Sequence, residues 1–233
     1  MLPLALENVS YAVDGKAILD QVTVEIGAGP RTVILGPNGA GKSVLMRICH
    51  GLLAPTSGCV RWLGANGSRR QALVFQRPVM LRRSVLGNAM YGLKLAGLAR
   101  GERELRARDV LEAVGLERQA DQPARQLSGG EQQKLALARA WSLGPEVLFL
   151  DEPTANLDPV ATREVESIIG QIRASGTKII MTTHNLGQAR RLGDEILFIS
   201  GGRLLERAPV DGFFVQPATA EAAAFIRGEL PWT

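Results

Sequence analysis

Apolar positions in the first third of the chain fall in short runs, not long stripes. Residues 4–9 and 22–26 alternate apolar and polar side chains, the pattern of half-buried strands. Asp14-Gly15 between them is a tight-turn pair, so the two segments predict an antiparallel edge ribbon. Thr32–Leu35 is a short apolar run of buried-strand type, followed by a glycine-rich turn and a helix from about Lys42 to His50. Further strands are expected at 60–63, 72–75, 147–150, 178–182 and 195–199, with helical segments separating the later ones. Strand–helix alternation of this kind implies an α/β fold: a mostly parallel sheet with helices on both faces.

The strand signal vanishes between Arg82 and Arg125. Ala107, Val110, Leu111 and Val114 stand one helical turn apart there, with Gly97, Gly101, Gly115 and Pro123 as punctuation. The expected organisation is one domain over 1–233, with a core of 1–81 and 126–233 and a helical subdomain at about 82–125. After Gly202 only a short tail is expected, too short for a second domain.

Composition narrows the class. The 233 residues are 45% hydrophobic and 21% charged, which fits a globular domain with a substantial core. Cys49 and Cys59 lack zinc-site spacing, and two thiols suit a reducing cytosol. Glu7 breaks the apolar opening, which reads as a strand and not as a signal peptide. No run approaches the ~18 apolar residues of a spanning helix. The net charge of +4 is small. Arg69, Arg70, Arg82, Arg83, Arg190 and Arg191 are scattered without aromatics between them, a solvated surface rather than a nucleic-acid footprint.

Three segments carry chemistry. Gly36, Pro37, Asn38, Gly39, Ala40, Gly41, Lys42 and Ser43 form a G-x-x-x-x-G-K-[ST] loop between a strand and a helix. Its glycines let backbone amides curl toward phosphate oxygens, and the following helix adds its positive end. Lys42 suits the β- and γ-phosphates, and the Ser43 hydroxyl suits Mg²⁺. At 147–152 an apolar strand ends in two carboxylates: Asp151 for the metal shell, Glu152 for the attacking water. The third segment, 127–131, sets Ser128, Gly129, Gly130 and Glu131 at a helix start. It reads either as a second anion-binding surface or as a plain capping box.

These segments stand in one order with Gln76, with Asp158 at the end of Ala-Asn-Leu-Asp, and with His184 after two threonines. Together they closely resemble the ATP-binding subunits of ABC transporters over nearly the whole chain. The resemblance implies a P-loop ATPase that works as a head-to-tail homodimer with bound ATP and Mg²⁺. Lys42 and Ser43 of one subunit would grip a nucleotide together with Ser128 and Gly130 of the other. Gln76 would sense Mg²⁺ and His184 would contact the γ-phosphate; Asp158 would pass information across the dimer. Partners would be an integral-membrane permease and, indirectly, an external solute-binding protein, with no nucleic acid. The chain would lie peripherally on the cytoplasmic face of the inner membrane. Three positions depart from the pattern: Val44 replaces a hydroxyl residue, Val13 an adenine-stacking aromatic, and Lys134 an arginine.

Residues 76–95 resemble importer-type subunits, where a groove receives a short helix of the membrane protein and Met80, Leu81 and Val85 would supply apolar contact. The ending 225–232 resembles oxyanion importers, tungstate-type ones above all. An export or lipoprotein-extraction ATPase and a soluble assembly ATPase are the competing readings.

Overall fold

The computed structural model describes residues 2–64 and 70–229. In chain order, β1 is Leu4–Val13, β2 Lys16–Ile26 and β3 Thr32–Leu35, followed by α1 at Lys42–His50. Then come β4 Ser57–Trp62, β5 Gln71–Val74, α2 Val85–Leu95, α3 Arg100–Ala113 and α4 Gly129–Trp141. β6 Val147–Asp151, α5 Pro159–Ala174, β7 Lys178–Thr183, α6 Leu186–Leu192 and β8 Glu195–Ser200 follow. β9 Arg203–Pro209, α7 Val210–Val215 and α8 Ala220–Arg227 complete the described chain. No helix among the described residues is long and apolar enough to cross a membrane. The expected α/β fold, mostly parallel with antiparallel strands at one side, is what these elements build.

The chain divides into two compact units, one of Met1–Arg69 with Lys178–Thr233 and the other of Arg70–Thr177. In the first, β3 is fully buried and lies parallel to β7 on one side and β8 on the other. A strand buried on both faces needs a continuous apolar run, and Val33-Ile34-Leu35 supplies it. The predicted ribbon is there and longer than its alternation suggested, with β1 and β2 paired from Leu4↔Ile26 to Val13↔Lys16. β4 pairs on the other edge of β1, so the ribbon is a three-stranded antiparallel sheet.

Beyond Gly202 the chain is not a bare tail. β9 pairs antiparallel with β8, and α7 and α8 bring Phe213 and Phe225 against Phe198, with ring centroids 5.6 and 5.4 Å apart. Leu230, Pro231 and Trp232 of the oxyanion-type ending lie outside the described residues, as does Arg69. Beneath the same sheet, Glu195 accepts hydrogen bonds from Thr32 Oγ1 (2.5 Å) and Arg207 Nη2 (3.0 Å), with Lys178 Nζ 4.0 Å away. Burial pushes the Lys178 ammonium down to about 8 against that attraction, and its proton is held on the Pro30 carbonyl. Cys49 and Cys59 are free thiols, and burial drives Cys49 up to about 12.

In the second unit β5 and β6 are parallel, from Gln71↔Val147 to Val74↔Leu150. Between β5 and β6 the chain forms α2 and α3, then two single turns at Glu117–Gln119 and Ala124–Gln126. The segment leading into α2 is held by Asn88, which is fully buried. Its Oδ1 accepts from Leu81 N (3.0 Å), and its Nδ2 faces the carbonyls of Leu81, Arg83 and Ser84 at 3.0–3.3 Å. Two guanidiniums pin the same segment: Arg139 donates to Val79 O (2.8 Å) and Arg125 to Met80 O (3.3 Å).

Asn88→Ala would leave a buried amide and several carbonyls without partners, a loss of about 1–3 kcal/mol. Urea unfolding checks this. A lower midpoint with an unchanged slope is expected; an unshifted midpoint would mean that the segment is held by the two arginines alone.

Candidate nucleotide site

The loop 36–43 begins where β3 leaves the sheet, and its geometry explains its composition. A Cβ on Gly36 would stand 2.0 Å from the carbonyl oxygen of Ile199, so no side chain fits between the loop and β8. Gly41 has φ +95° and passes within 2.7–2.8 Å of Leu19 Cδ2 and Ile18 O, counted from an ideal Cβ. Gly39 has φ +76° with open space around it, a position where glycine serves the turn itself. Gly41 caps α1 with no side-chain hydrogen bond, and no acidic residue occupies the first turn. That leaves the positive end of α1 facing the loop, the arrangement that favours a phosphate.

Lys42 opens α1 and folds back into the loop. Its Nζ donates to the carbonyls of Gly36 and Pro37 at 2.9 Å each, and the side chain is buried. The ammonium is therefore fixed beside the loop amides, not extended into solvent. Ala40 is buried, while Pro37, Asn38, Gly39 and Ser43 retain exposure. His184 follows β7, and the register Leu35↔Thr183 brings it level with Gly36 at the carboxyl ends of neighbouring parallel strands. Val13 sits at the tip of the β1–β2 hairpin, 44% exposed, so an aromatic at that position would have room.

In the second unit, β6 is buried throughout and ends on Asp151, itself 4% exposed. Glu152 follows with φ +45°, a left-handed conformation that costs a non-glycine residue about 1–3 kcal/mol. Strain of that kind persists where surrounding structure over-determines a side chain's direction. Gln76 is exposed two residues past Val74, and Glu152 lies two residues past its partner Leu150. Gln76, Asp151 and Glu152 thus emerge at one end of the β5–β6 pair.

Of the two readings of segment 128–131, the structure shows the helix cap. The capping box is present: Ser128 N and Oγ donate to Glu131 Oε2 at 2.8 and 2.7 Å, and Glu131 N donates back to Ser128 Oγ at 3.3 Å. The Ser128 hydroxyl, with its backbone amide, holds the Glu131 carboxyl below the usual carboxylate range. Asp158 likewise caps α5, accepting from Val160 N (2.8 Å) and Ala161 N (3.0 Å), and these amides depress its carboxyl. Ser128, Gly129, Gly130, Glu131, Lys134 and Asp158 all border one cavity of about 320 Å³. Gly130 is required there, because an ideal Cβ would fall 2.8 Å from Ala161 Cβ across the α4–α5 contact. Neither Gln76 nor the Asp151–Glu152 pair lines this cavity.

Two features had no signal in the sequence. Lys134 of α4 pairs with Glu164 of α5 at 2.9 Å, and both border the cavity. The Glu152 strain depends on the backbone alone. Among the described residues no group of three His, Cys, Asp or Glu side chains is arranged to hold a metal.

A profile described as ABC transporter matches residues 19–155. The chain is 38% identical to the tungstate uptake system ATP-binding protein TupC of Peptoclostridium acidaminophilum, over 91% of this chain and 100% of that one. It is 34% identical to the phosphate import ATP-binding protein PstB 2 of Natronomonas pharaonis, over 97% and 87%. Among solved structures, CbiO1 of Clostridium perfringens, part of the ABC transporter complex CbiONQ, superposes with a TM-score of 0.81 at 29% identity, covering 98% and 95%. With the phosphate loop, the acidic strand end and the 128–131 segment in one chain, these matches lead to a single assignment: the chain belongs to the ABC transporter family, as an ATP-binding and ATP-hydrolysing member.

Proposed function

We propose that this chain powers solute import through a separate integral-membrane permease, working as a head-to-tail homodimer. The observation that supports the dimer is the cavity around Ser128, Gly130 and Asp158 at the start of α4, which we read as a second anion-binding surface in a chain with one phosphate loop. In this reading residues 36–43 of one subunit bind ATP with Ser128, Gly129, Gly130 and Glu131 of the other. Ser43, Asp151 and Gln76 hold Mg²⁺, which supplies charge neutralisation on the phosphates when bound. Glu152 orients and deprotonates water, and His184 steadies the γ-phosphate. The whole chain acts as one ATPase domain, with 82–125 as its helical insertion. It sits peripherally on the cytoplasmic face of the inner membrane, and an external binding protein selects the solute.

The solute we propose is tungstate, supported by the likeness to the TupC subunit along that protein's full length and by the phosphate-import relative. Both relatives are named for oxyanions. The chain itself supplies force, since its anion-binding surfaces are committed to ATP.

Deleting the gene should abolish tungstate uptake at nanomolar concentrations, with restoration by the wild type but not by Glu152→Gln. The purified variant should bind ATP yet hydrolyse it about a hundredfold more slowly or worse. Unchanged uptake of tungstate, molybdate and phosphate would remove the oxyanion assignment and leave the ATPase intact. Near-normal turnover by Glu152→Gln would move the base elsewhere. Gly36→Ala tests the loop independently: the clash with the Ile199 carbonyl should displace the loop and abolish ATP binding in a fluorescent-nucleotide titration. Wild-type affinity in that variant would mean that the loop tolerates a shift away from β8.

A further inference from the structure

Strand β2 leaves regular pairing at one point. Val9↔Val22 and Tyr11↔Leu19 are successive pairs of the β1–β2 ladder, so Ser10 alone stands opposite both Asp20 and Gln21. The extra residue makes a bulge, and Gln21 takes φ +50°, a left-handed conformation unfavourable for a non-glycine residue. Gln21 N donates to the Ser10 hydroxyl (2.9 Å). The neighbouring amide, Asp20 N, is turned out of the ribbon and donates instead to Gly202 O (2.9 Å).

The segment it reaches is the two-residue turn Gly201-Gly202 between β8 and β9. Both glycines have positive φ, +54° and +78°, as a tight hairpin turn of this kind requires. Gly202 also has no room for a side chain: an ideal Cβ would stand 2.6 Å from Ile18 O and 3.3 Å from Leu19 Cα. Beside it, Arg203 closes on the Asp20 carboxylate, with Nε 2.7 Å and Nη2 2.6 Å from Oδ2. A backbone hydrogen bond, a close packing contact and an ion pair therefore clasp β2 to the β8–β9 turn.

The same stretch of β2 meets the phosphate loop. An ideal Cβ on Gly41 would lie 2.8 Å from Ile18 O and 2.7 Å from Leu19 Cδ2, so the Ile18 carbonyl borders both Gly41 and Gly202. At its other end the loop rests on β8, through Gly36 and the Ile199 carbonyl. The loop is thus framed by β8 at Gly36 and by β2 at Gly41, and the clasp fixes these two walls to each other.

We infer that Asp20 and Arg203 are positioning residues for nucleotide binding: their clasp holds the Ile18–Leu19 backbone against Gly41 and sets how tightly the loop 36–43 grips phosphate. With the clasp open, β2 can recede, Gly41 gains space and the loop amides lose their fixed direction. That loss of preorganisation falls on binding. Asp151 and Glu152 belong to β6 and its end, outside this frame, so turnover of bound ATP is unchanged.

Charge reversal opens the clasp and leaves the loop sequence intact. Asp20→Arg and Arg203→Asp should each raise the ATP Kd in a fluorescent-nucleotide titration, and KM with it, by about fivefold, the upper end for an exposed ion pair. The kcat should stay within about twofold, the signature of lost ground-state binding. The swapped variant Asp20→Arg/Arg203→Asp should return Kd and KM to wild-type values. Asp20→Asn, which keeps the side-chain shape and the backbone bond, should weaken ATP binding by about twofold and keeps the test readable if a reversal folds poorly. In the nucleotide-free protein, amide exchange over 36–43 should quicken in Asp20→Arg while β6 keeps its protection. Variants with a lower unfolding midpoint but wild-type Kd and KM would make the clasp a structural tie alone and overturn the inference. A fall in kcat at unchanged Kd, or a swapped variant no better than the single ones, would overturn it as well.

Discussion

A phosphate group presents acceptor oxygens and no donors, so a loop that binds it must turn several amides inward and keep carbonyls out of the way. In this chain the requirement falls on Gly36 and Lys42. Gly36 lets the loop lie against the Ile199 carbonyl, at a distance no Cβ could share. Lys42 gathers the carbonyls of Gly36 and Pro37 onto its ammonium, which turns them toward a cation. The neighbouring strands hold both ends of this arrangement: β3 delivers the loop, β8 supplies its floor, and β7 brings His184 level with its start. If the loop were displaced, the position of α1 and the approach of His184 would change with it.

The 128–131 segment shows one set of donors satisfying a helix start, and in the proposed dimer the same donors would meet a phosphate. Ser128 N and Oγ are both engaged by Glu131, which is the usual way to satisfy the start of a helix. A phosphate arriving from another subunit would compete for that same hydroxyl. In the proposed dimer the cap would be a resting partner for that donor; Gly130 keeps α4 close enough to α5 for Asp158 to border the same cavity.

Where local chemistry dictates residue type, the sequence was legible. The loop glycines, the acidic end of β6 and the Asp14-Gly15 turn each impose a composition that no other local structure needs. The extent of β1 and β2 was less so, because their hairpin tip is exposed and its polar residues mask the alternation. β9 went unread: Leu204-Leu205 is a short apolar pair at a sheet edge, bounded by charged residues, and only its pairing with β8 makes it a strand. Arg125 and the Asp20–Arg203 pair were invisible for a different reason. Their meaning lies in contacts with segments far along the chain, and neither spacing nor composition encodes those partners.

The central claim is that a complete hydrolytic site needs two copies of this chain. Ser128→Arg should disable the cavity surface and Lys42→Ala the phosphate loop, so each variant alone should be inactive as purified protein. Mixed in equal amounts, the pair can form dimers in which the intact loop of one subunit faces the intact 128–131 segment of the other. Head-to-tail pairing predicts that ATPase activity reappears on mixing, up to about a quarter of the wild-type rate if subunits pair at random. No recovery at any mixing ratio, or full activity in Ser128→Arg by itself, would contradict the account and leave the 128–131 segment as a helix cap and nothing more.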